Sequence, residues 1–179
     1  FRHDDKCGMD NATRSERSRN AALDAAIAII ARDGPGRLTL DAIARESGLS
    51  KGGVMHQFRT KEAVLRALLE QQMAYFEDFS NRYIEKARET TDQPELAAQI
   101  ATLREAISTP RAGAFALLAA MNENPELMAM PRDVDIEKVA RMKAEARDPD
   151  LALLRWAAAR GLLLSSLFGL SSLSDAERD

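Results

Sequence analysis

The chain has 179 residues, of which 45% are hydrophobic and 30% are charged, and its formal net charge is −3. This composition is typical of a globular protein with one or two cored domains, and it excludes a disordered or fibrous chain. The single cysteine, Cys7, excludes an internal disulfide and favours a reducing cytoplasm. A membrane span needs about 18 to 20 uninterrupted apolar residues. The nearest stretch, 161–173, is shorter and contains serines, so we expect no membrane association.

Charge is divided unevenly along the chain. Residues 1–61 hold eleven Lys and Arg against eight Asp and Glu, whereas the remainder holds 14 basic and 20 acidic residues. A mildly basic head on an acidic body is typical of a protein that turns one end toward nucleic-acid phosphates. Solvent-exposed helix faces produce the same distribution of charge, so a nucleic-acid-binding role for this end needs support from a sequence motif.

Apolar spacing and capping residues predict an all-α fold. The first helix spans about 13–33, and the second begins after Thr39 and ends near Gly48. A third helix of barely two turns begins after Ser50, and Thr60 caps a long fourth helix.

Prolines at first helical positions and a capping box predict the remaining helices. The expected spans are 94–108, 112–122, 125–147 with a break near Pro131, and 149–170. Ser174-Asp175-Ala176-Glu177 has the capping-box pattern, and only two residues follow it. We therefore expect a terminal helix that is incomplete in this chain.

The second and third helices have the proportions of a helix-turn-helix, joined by Gly48-Leu49-Ser50. The third helix contains Gly52 and Gly53, and a helix-interior glycine costs about 1 kcal/mol relative to alanine. A local penalty of this kind tends to mark function, because the missing Cβ atoms allow close approach to a major groove. A solvated surface helix is the plain alternative. A metal site at His56 is a weaker one, since the other histidine, His3, is remote.

Side-chain chemistry suggests how this helix would contact DNA. Lys51 can donate to guanine or to phosphate, and Gln57 can pair with adenine if it points into the groove. Contacts to the phosphate backbone, which fix register, are expected from Thr39, His56, Arg59 and Lys61.

The stretch 38–63, LTLDAIARESGLSKGGVMHQFRTKEA, resembles the signature of TetR-family transcriptional repressors. The close match covers about 14–69, and the rest matches only in helical architecture. The resemblance implies an extension at 1–12, a three-helix DNA-binding head at 13–60 and a helical body at 61–179. It also implies that the body binds a small effector and that a homodimer binds a palindromic operator of double-stranded DNA.

The resemblance and the groove chemistry together predict the DNA-binding residues. These are Thr39, Ser50, Lys51, Gly52, Gly53, Met55, His56, Gln57 and Lys61. The family often has Thr where this chain has Gly53, and Tyr where it has Met55. A hydroxyl and a phenol that would touch phosphate are therefore missing, and the family's operator preferences do not carry over.

Large flexible and aromatic side chains in the body can line an effector cavity, although at helical spacing they are more often plain core. Tyr83 and Trp156 are favoured because each has a polar tip that needs a partner. Arg104 is the nearest candidate anchor for an acidic effector. The predicted effector-binding residues are Met73, Phe76, Tyr83, Arg104, Phe115, Met121 and Trp156.

The helix at 149–170 carries a face of small residues, where the family places its dimer bundle. A mid-helix glycine, Gly161, lowers helix stability unless something packs close to it. The alternative is that this helix is the buried centre of a monomer. The predicted interface residues are Leu154, Ala158, Gly161, Ser165 and Phe168.

These features predict a DNA-binding transcriptional regulator, a repressor released from its operator by a small apolar or amphipathic effector. The alternative is a constitutive or architectural DNA-binding dimer that does not respond to a ligand. Catalysis needs a nucleophile, base or metal constellation. His3 and Cys7 supply at most half a metal site, so we expect no enzyme activity, no catalytic residue, no metal and no cofactor.

Overall fold

The computed structural model describes residues 5–108, 124–174 and 177, and the structural statements below refer to these residues. All regular elements in this part of the chain are helical, which confirms the all-α prediction. The α-helices are α1 (Asp5–Asp33), α2 (Leu40–Ser47), α3 (Lys51–Gln57), α4 (Lys61–Ala87), α5 (Pro94–Ser108), α6 (Ala129–Glu145) and α7 (Pro149–Leu167). Short 3₁₀ turns occupy Pro35–Arg37 and Pro125–Met128. None of the described helices is long and apolar enough to pass through a bilayer.

The chain divides into two compact units. Among the described residues, the first comprises 5–70 and 124–127, and the second comprises 71–108, 128–174 and 177. The helix predicted at 112–122 lies outside the described residues.

The core of the first unit forms where α1, α2 and α3 pack together. Leu23, Ala26 and Ile30 of α1 are buried with helical spacing. Ile43 of α2 and Val54 of α3 are both 0% exposed. Because Val54 is the only buried residue of α3, the polar side chains of this short helix are left outside the core.

Three side-chain caps place the starts of the helices where the sequence predicts them. The bonds run from Ala42 N to Thr39 Oγ1 (3.0 Å), from Gly53 N to Ser50 Oγ (3.0 Å) and from Ala63 N to Thr60 Oγ1 (3.1 Å). Gly48 ends α2 with a φ of 69°, a left-handed conformation that suits glycine. The turn between α2 and α3 is therefore encoded at both of its ends.

Two helix boundaries differ from the prediction. α1 begins at Asp5 rather than near 13, so residues 5–12 of the predicted extension are part of this helix. The helix predicted at 125–147 is a 3₁₀ turn followed by α6, which begins at Ala129. Pro131 lies in the first turn of α6, where its missing N–H costs no hydrogen bond.

The second unit packs part of α4 with α5, α6 and α7. Its core centres on Leu96, Met142 and Ala152, with Trp156 packed against them. The Leu96 N–H donates to Glu145 Oε1 at 3.0 Å, which ties the start of α5 to the end of α6.

The predicted capping box at Ser174 forms only in part. Ser174 N donates to Glu177 Oε2 at 2.9 Å, as the motif requires. The Ser174 hydroxyl donates to the same carboxylate oxygen at 2.7 Å instead of accepting from the Glu177 N–H. These two donors lower the pKa of Glu177 below its usual value.

Candidate nucleic-acid interface and effector cavity

α3 is anchored on one side and exposed on the other. Val54 and, just beyond the helix, Phe58 are 0% and 2% exposed and hold α3 against the core. The predicted DNA-binding residues Ser50, Lys51, Gly52, Met55 and His56 are exposed, and Gly53 and Gln57 are half-buried. The anchoring explains how so short a helix can present a polar surface in a defined orientation.

Among the described residues, the contact that holds the Lys51 ammonium group is a surface ion pair. The Lys51 Nζ lies 2.9 Å from Asp41 Oδ1, and more than half of each side chain is exposed. Exposed pairs of this kind contribute roughly 0–1 kcal/mol. A phosphate or a guanine can therefore replace Asp41 as the partner of Lys51 at little cost.

Gln57 already has a partner within the protein. Its Nε2 donates to Ser15 Oγ of α1 at 3.0 Å, and the amide is half-buried. The Arg19 guanidinium of α1 also lies 4.8 Å from the centroid of the Phe58 ring. The amino-terminal half of α1 thus braces α3. Because the Gln57 amide has two N–H donors, Gln57 can keep the Ser15 bond and still offer its second N–H and its Oε1 to adenine.

The remaining predicted phosphate contacts are also exposed or only half-buried. Thr39 is exposed, and its oxygen accepts the capping bond while its hydroxyl proton stays available. Lys61 is half-buried and donates from Nζ to the Pro35 carbonyl at 3.0 Å.

The two glycines of α3 have different surroundings. A Cβ on Gly53 would lie 3.2 Å from Ser50 Oγ, so glycine at this position leaves room for the helix cap. A Cβ on Gly52 would meet no described atom within 4 Å. Packing among the described residues therefore does not require glycine at 52.

Sequence reasoning missed the ion pair that joins α1 to α2. Arg32 donates from both terminal nitrogens to the carboxylate of Glu46, at 3.0 and 2.9 Å, and also bonds to Asp33. These bonds lower the pKa of Glu46 and raise the pKa of Arg32. A two-pronged pair fixes orientation as well as distance, so it holds α2 at a set angle to α1.

The second unit contains a cavity of about 420 Å³ lined by α4, α5, α6 and α7. Three of the predicted effector-binding residues, Met73, Phe76 and Trp156, are in its walls. Phe115 and Met121 lie outside the described residues.

Two predicted effector-binding residues do not line this cavity. Tyr83 is 39% exposed, and its ring stacks on that of Phe79 with centroids 6.4 Å apart. Arg104 is also exposed. Residue type suggested both, but residue type does not tell which way a helical side chain faces.

The cavity walls also carry charged pairs that the sequence did not indicate. Lys138 Nζ lies 2.9 Å from Glu77 Oε2, and only 10% of the Lys138 side chain is exposed. Arg160 pairs with Asp135, and its guanidinium carbon Cζ lies 5.0 Å from the centroid of the Trp156 ring. No local spacing marks these pairs, because each joins residues on different helices.

Four of the five predicted interface residues lie on α7, and Phe168 directly follows its last residue. Leu154 and Phe168 are 65% and 56% exposed, and Ala158 and Gly161 are exposed as well. A Cβ on Gly161 would meet no described atom within 4 Å. Ser165 is half-buried, and its hydroxyl donates to the Leu162 carbonyl. This face is apolar and open to close approach.

Two family profiles match the chain. Residues 22–68 match "Bacterial regulatory proteins, tetR family", and residues 93–179 match "Tetracyclin repressor-like, C-terminal domain". No curated protein matches the sequence significantly.

Solved structures with similar folds cover most of the chain. The superantigen PfiT has a TM-score of 0.67 at 20% identity, over 88% of this chain and 89% of PfiT. The multidrug binding protein EbrR, complexed with imidazole, has a TM-score of 0.62 at 21% identity, over 91% of this chain and 86% of EbrR. SCO7518 from Streptomyces coelicolor A3(2) has a TM-score of 0.59 at 18% identity, over 86% of this chain and 96% of SCO7518. At these identities the likeness shows the fold alone.

Proposed function

The chain belongs to the TetR family of bacterial regulatory proteins, and from this premise we propose that it is a transcriptional repressor released from its operator by a small apolar or amphipathic effector. The observation that carries the proposal is the exposed, polar and glycine-containing surface of α3. Gly52 is central to it, because the described structure offers no internal reason for a glycine there. In this proposal residues 13–60 bind DNA, and residues 61–179 bind the effector and a second subunit.

The repressor acts as a homodimer on a palindromic operator of double-stranded DNA. The exposed apolar face of α7 supports this assembly, since an isolated subunit gains by covering Leu154 and Phe168. Gly161 leaves space for a partner helix to approach closely. A dimer that holds its two α3 helices about 34 Å apart fits successive major grooves on one side of B-DNA.

The effector binds in the cavity of the second unit. The fold is compatible with this role, since the similarly folded EbrR was crystallised with imidazole. An effector changes operator affinity only by its differential affinity for two conformations of the repressor. Release therefore requires that the effector prefer a conformation with the α3 helices out of register with the grooves.

The test begins with duplexes selected from a random library by the wild-type protein. Lys51→Ala and Lys61→Ala should weaken binding to every duplex and reduce the salt dependence by about one counterion per lost contact. Gln57→Ala should instead relax discrimination between sequences. Lys143→Ala removes an exposed lysine of α6 and serves as the control. Failure of the wild type to enrich any duplex, or unchanged binding in all three variants, would contradict the proposal.

A further inference from the structure

We infer that the cavity of the second unit selects a neutral, largely apolar effector that carries a hydrogen-bond acceptor, and that Gln99 donates to this acceptor. The inference rests on the proposed effector-release function and specifies the chemical class of the effector. Three features of the cavity support it: its apolar walls, its internally paired charges and its unpartnered amide.

The apolar walls set the body of the ligand. Met73, Phe76 and Trp156 line the cavity together with Leu103 and Val134. A volume of about 420 Å³ is at the lower end of what small-molecule sites occupy, roughly 300–1,000 Å³. A compact aromatic or aliphatic body fits these walls better than a highly polar one.

The cations in the walls already have carboxylate partners. Lys138 pairs with Glu77 at 2.9 Å, and Arg160 pairs with Asp135.

The third lining cation, Arg141, lies 3.2 Å from a Glu95 oxygen. An anionic ligand would have to displace one of these carboxylates and leave it without its cation, and the cost is greatest at Lys138, whose side chain is only 10% exposed. Glu137 adds a further negative charge to the lining. The charges of the lining thus disfavour binding of an effector that carries a carboxylate.

Gln99 supplies the polar contact. It lines the cavity, is 6% exposed, and its Nε2 has no hydrogen-bond partner within the described part of the chain. Thr102, another polar residue of the lining, donates to the Ala98 carbonyl at 2.8 Å. Buried amide donors are rarely left unpaired, so the missing acceptor is expected on the ligand.

Three naphthalene derivatives of nearly equal shape test the inference on the full chain. These probes are 2-naphthamide, which is neutral and offers a carbonyl, 2-naphthoate, which is anionic, and 2-(aminomethyl)naphthalene, which is cationic and offers only donors. Calorimetric titration at neutral pH should show 2-naphthamide binding at least about tenfold more tightly than either charged probe. Equal or tighter binding of 2-naphthoate, or no binding of 2-naphthamide at 1 mM, would overturn the inference.

Two variants assign the selectivity to named residues. Gln99→Leu should weaken 2-naphthamide about three- to tenfold, the effect of one lost hydrogen bond, and leave 2-(aminomethyl)naphthalene, which offers no acceptor, unchanged. Gln71→Leu changes an exposed glutamine of α4 and is the matched control. Glu77→Gln removes the carboxylate partner of Lys138 and should improve 2-naphthoate binding about tenfold. The assignment would be overturned by an unchanged ratio of 2-naphthamide to 2-(aminomethyl)naphthalene affinity in Gln99→Leu together with an unchanged amide-to-carboxylate ratio in Glu77→Gln.

Operator binding measured in parallel separates this inference from the proposed function. If the repressor binds its selected duplex but the probes show the wrong selectivity, the effector class is wrong and the function stands. If the probes show the expected selectivity but no duplex is bound, the effector class stands and the function is wrong.

Discussion

Replacing Gly52 by alanine should separate the stability of α3 from its fit to DNA. A Cβ at this position meets no described atom within 4 Å. Gly52 is also not one of the glycines that have a positive φ. Alanine is therefore accommodated without strain. Because alanine has the higher helix propensity and restricts the unfolded chain, the free energy of unfolding should rise by about 0.4–1 kcal/mol.

Operator affinity should move in the opposite direction. If α3 lies against the groove at Gly52, the added methyl group overpacks that contact, and overpacking in close-packed protein interiors costs about 1–3 kcal/mol. If the cost is at the low end of this range, about 1 kcal/mol for one subunit, operator affinity should fall at least about fivefold.

Urea unfolding and fluorescence anisotropy on the selected duplex measure the two effects. Asn81→Ala, at an exposed position of α4, is the control that should gain helix propensity without losing operator affinity. A Gly52→Ala variant that is more stable and binds the operator as tightly as wild type would refute the close approach. A destabilised variant would refute the open surroundings of Gly52.

Three further predictions concern α1, α2 and α7. Ser15→Ala removes the bond that orients Gln57 and should lower operator affinity a few-fold, whereas Ser18→Ala should not; unchanged or higher affinity in anisotropy titrations would show that the Ser15 bond does not position Gln57 for binding. The pKa of Glu46 is lower in the folded state than in the unfolded state. The pair with Arg32 therefore stabilises the fold fully at pH values above the unfolded-state Glu pKa of about 4.3. This stabilisation is lost as the pH falls through the lower pKa of the folded state. Thermal melts between pH 6 and 3 should therefore show a shallower acid decline for Glu46→Gln, and an identical decline would contradict the pair's role. Leu154→Glu changes a residue that is 65% exposed and should convert the proposed dimer to a folded monomer in sedimentation experiments. A dimer that persists in this variant would show that the interface is not on this face of α7.

The first unit was predictable because its signals are local. Thr39, Ser50 and Thr60 each cap a helix within three residues of their own position, and Gly48 ends one. Interactions that cross between helices left no comparable signal. Gln57 and Ser15 are 42 positions apart, and no periodicity in the sequence relates them.

The cavity was predictable in kind but not in detail. Met73 and Trp156 were chosen by residue type and do line it, whereas Tyr83, chosen in the same way, faces solvent. Gln99 and Lys138 were missed because glutamine and lysine are mostly exposed, and only the packing of α5 and α6 buries them.

The bond between Gln57 and Ser15 bears on how the proposed repressor would tell one base pair from another. An amide NH2 has two protons, so Gln57 can keep its bond to Ser15 while the second N–H and Oε1 face a base. The side chain then reaches the groove already oriented, and less rotamer freedom is lost when the matching base arrives. Discrimination at such a position comes from geometry fixed before contact, because swinging the amide toward a mismatched base would break the Ser15 bond.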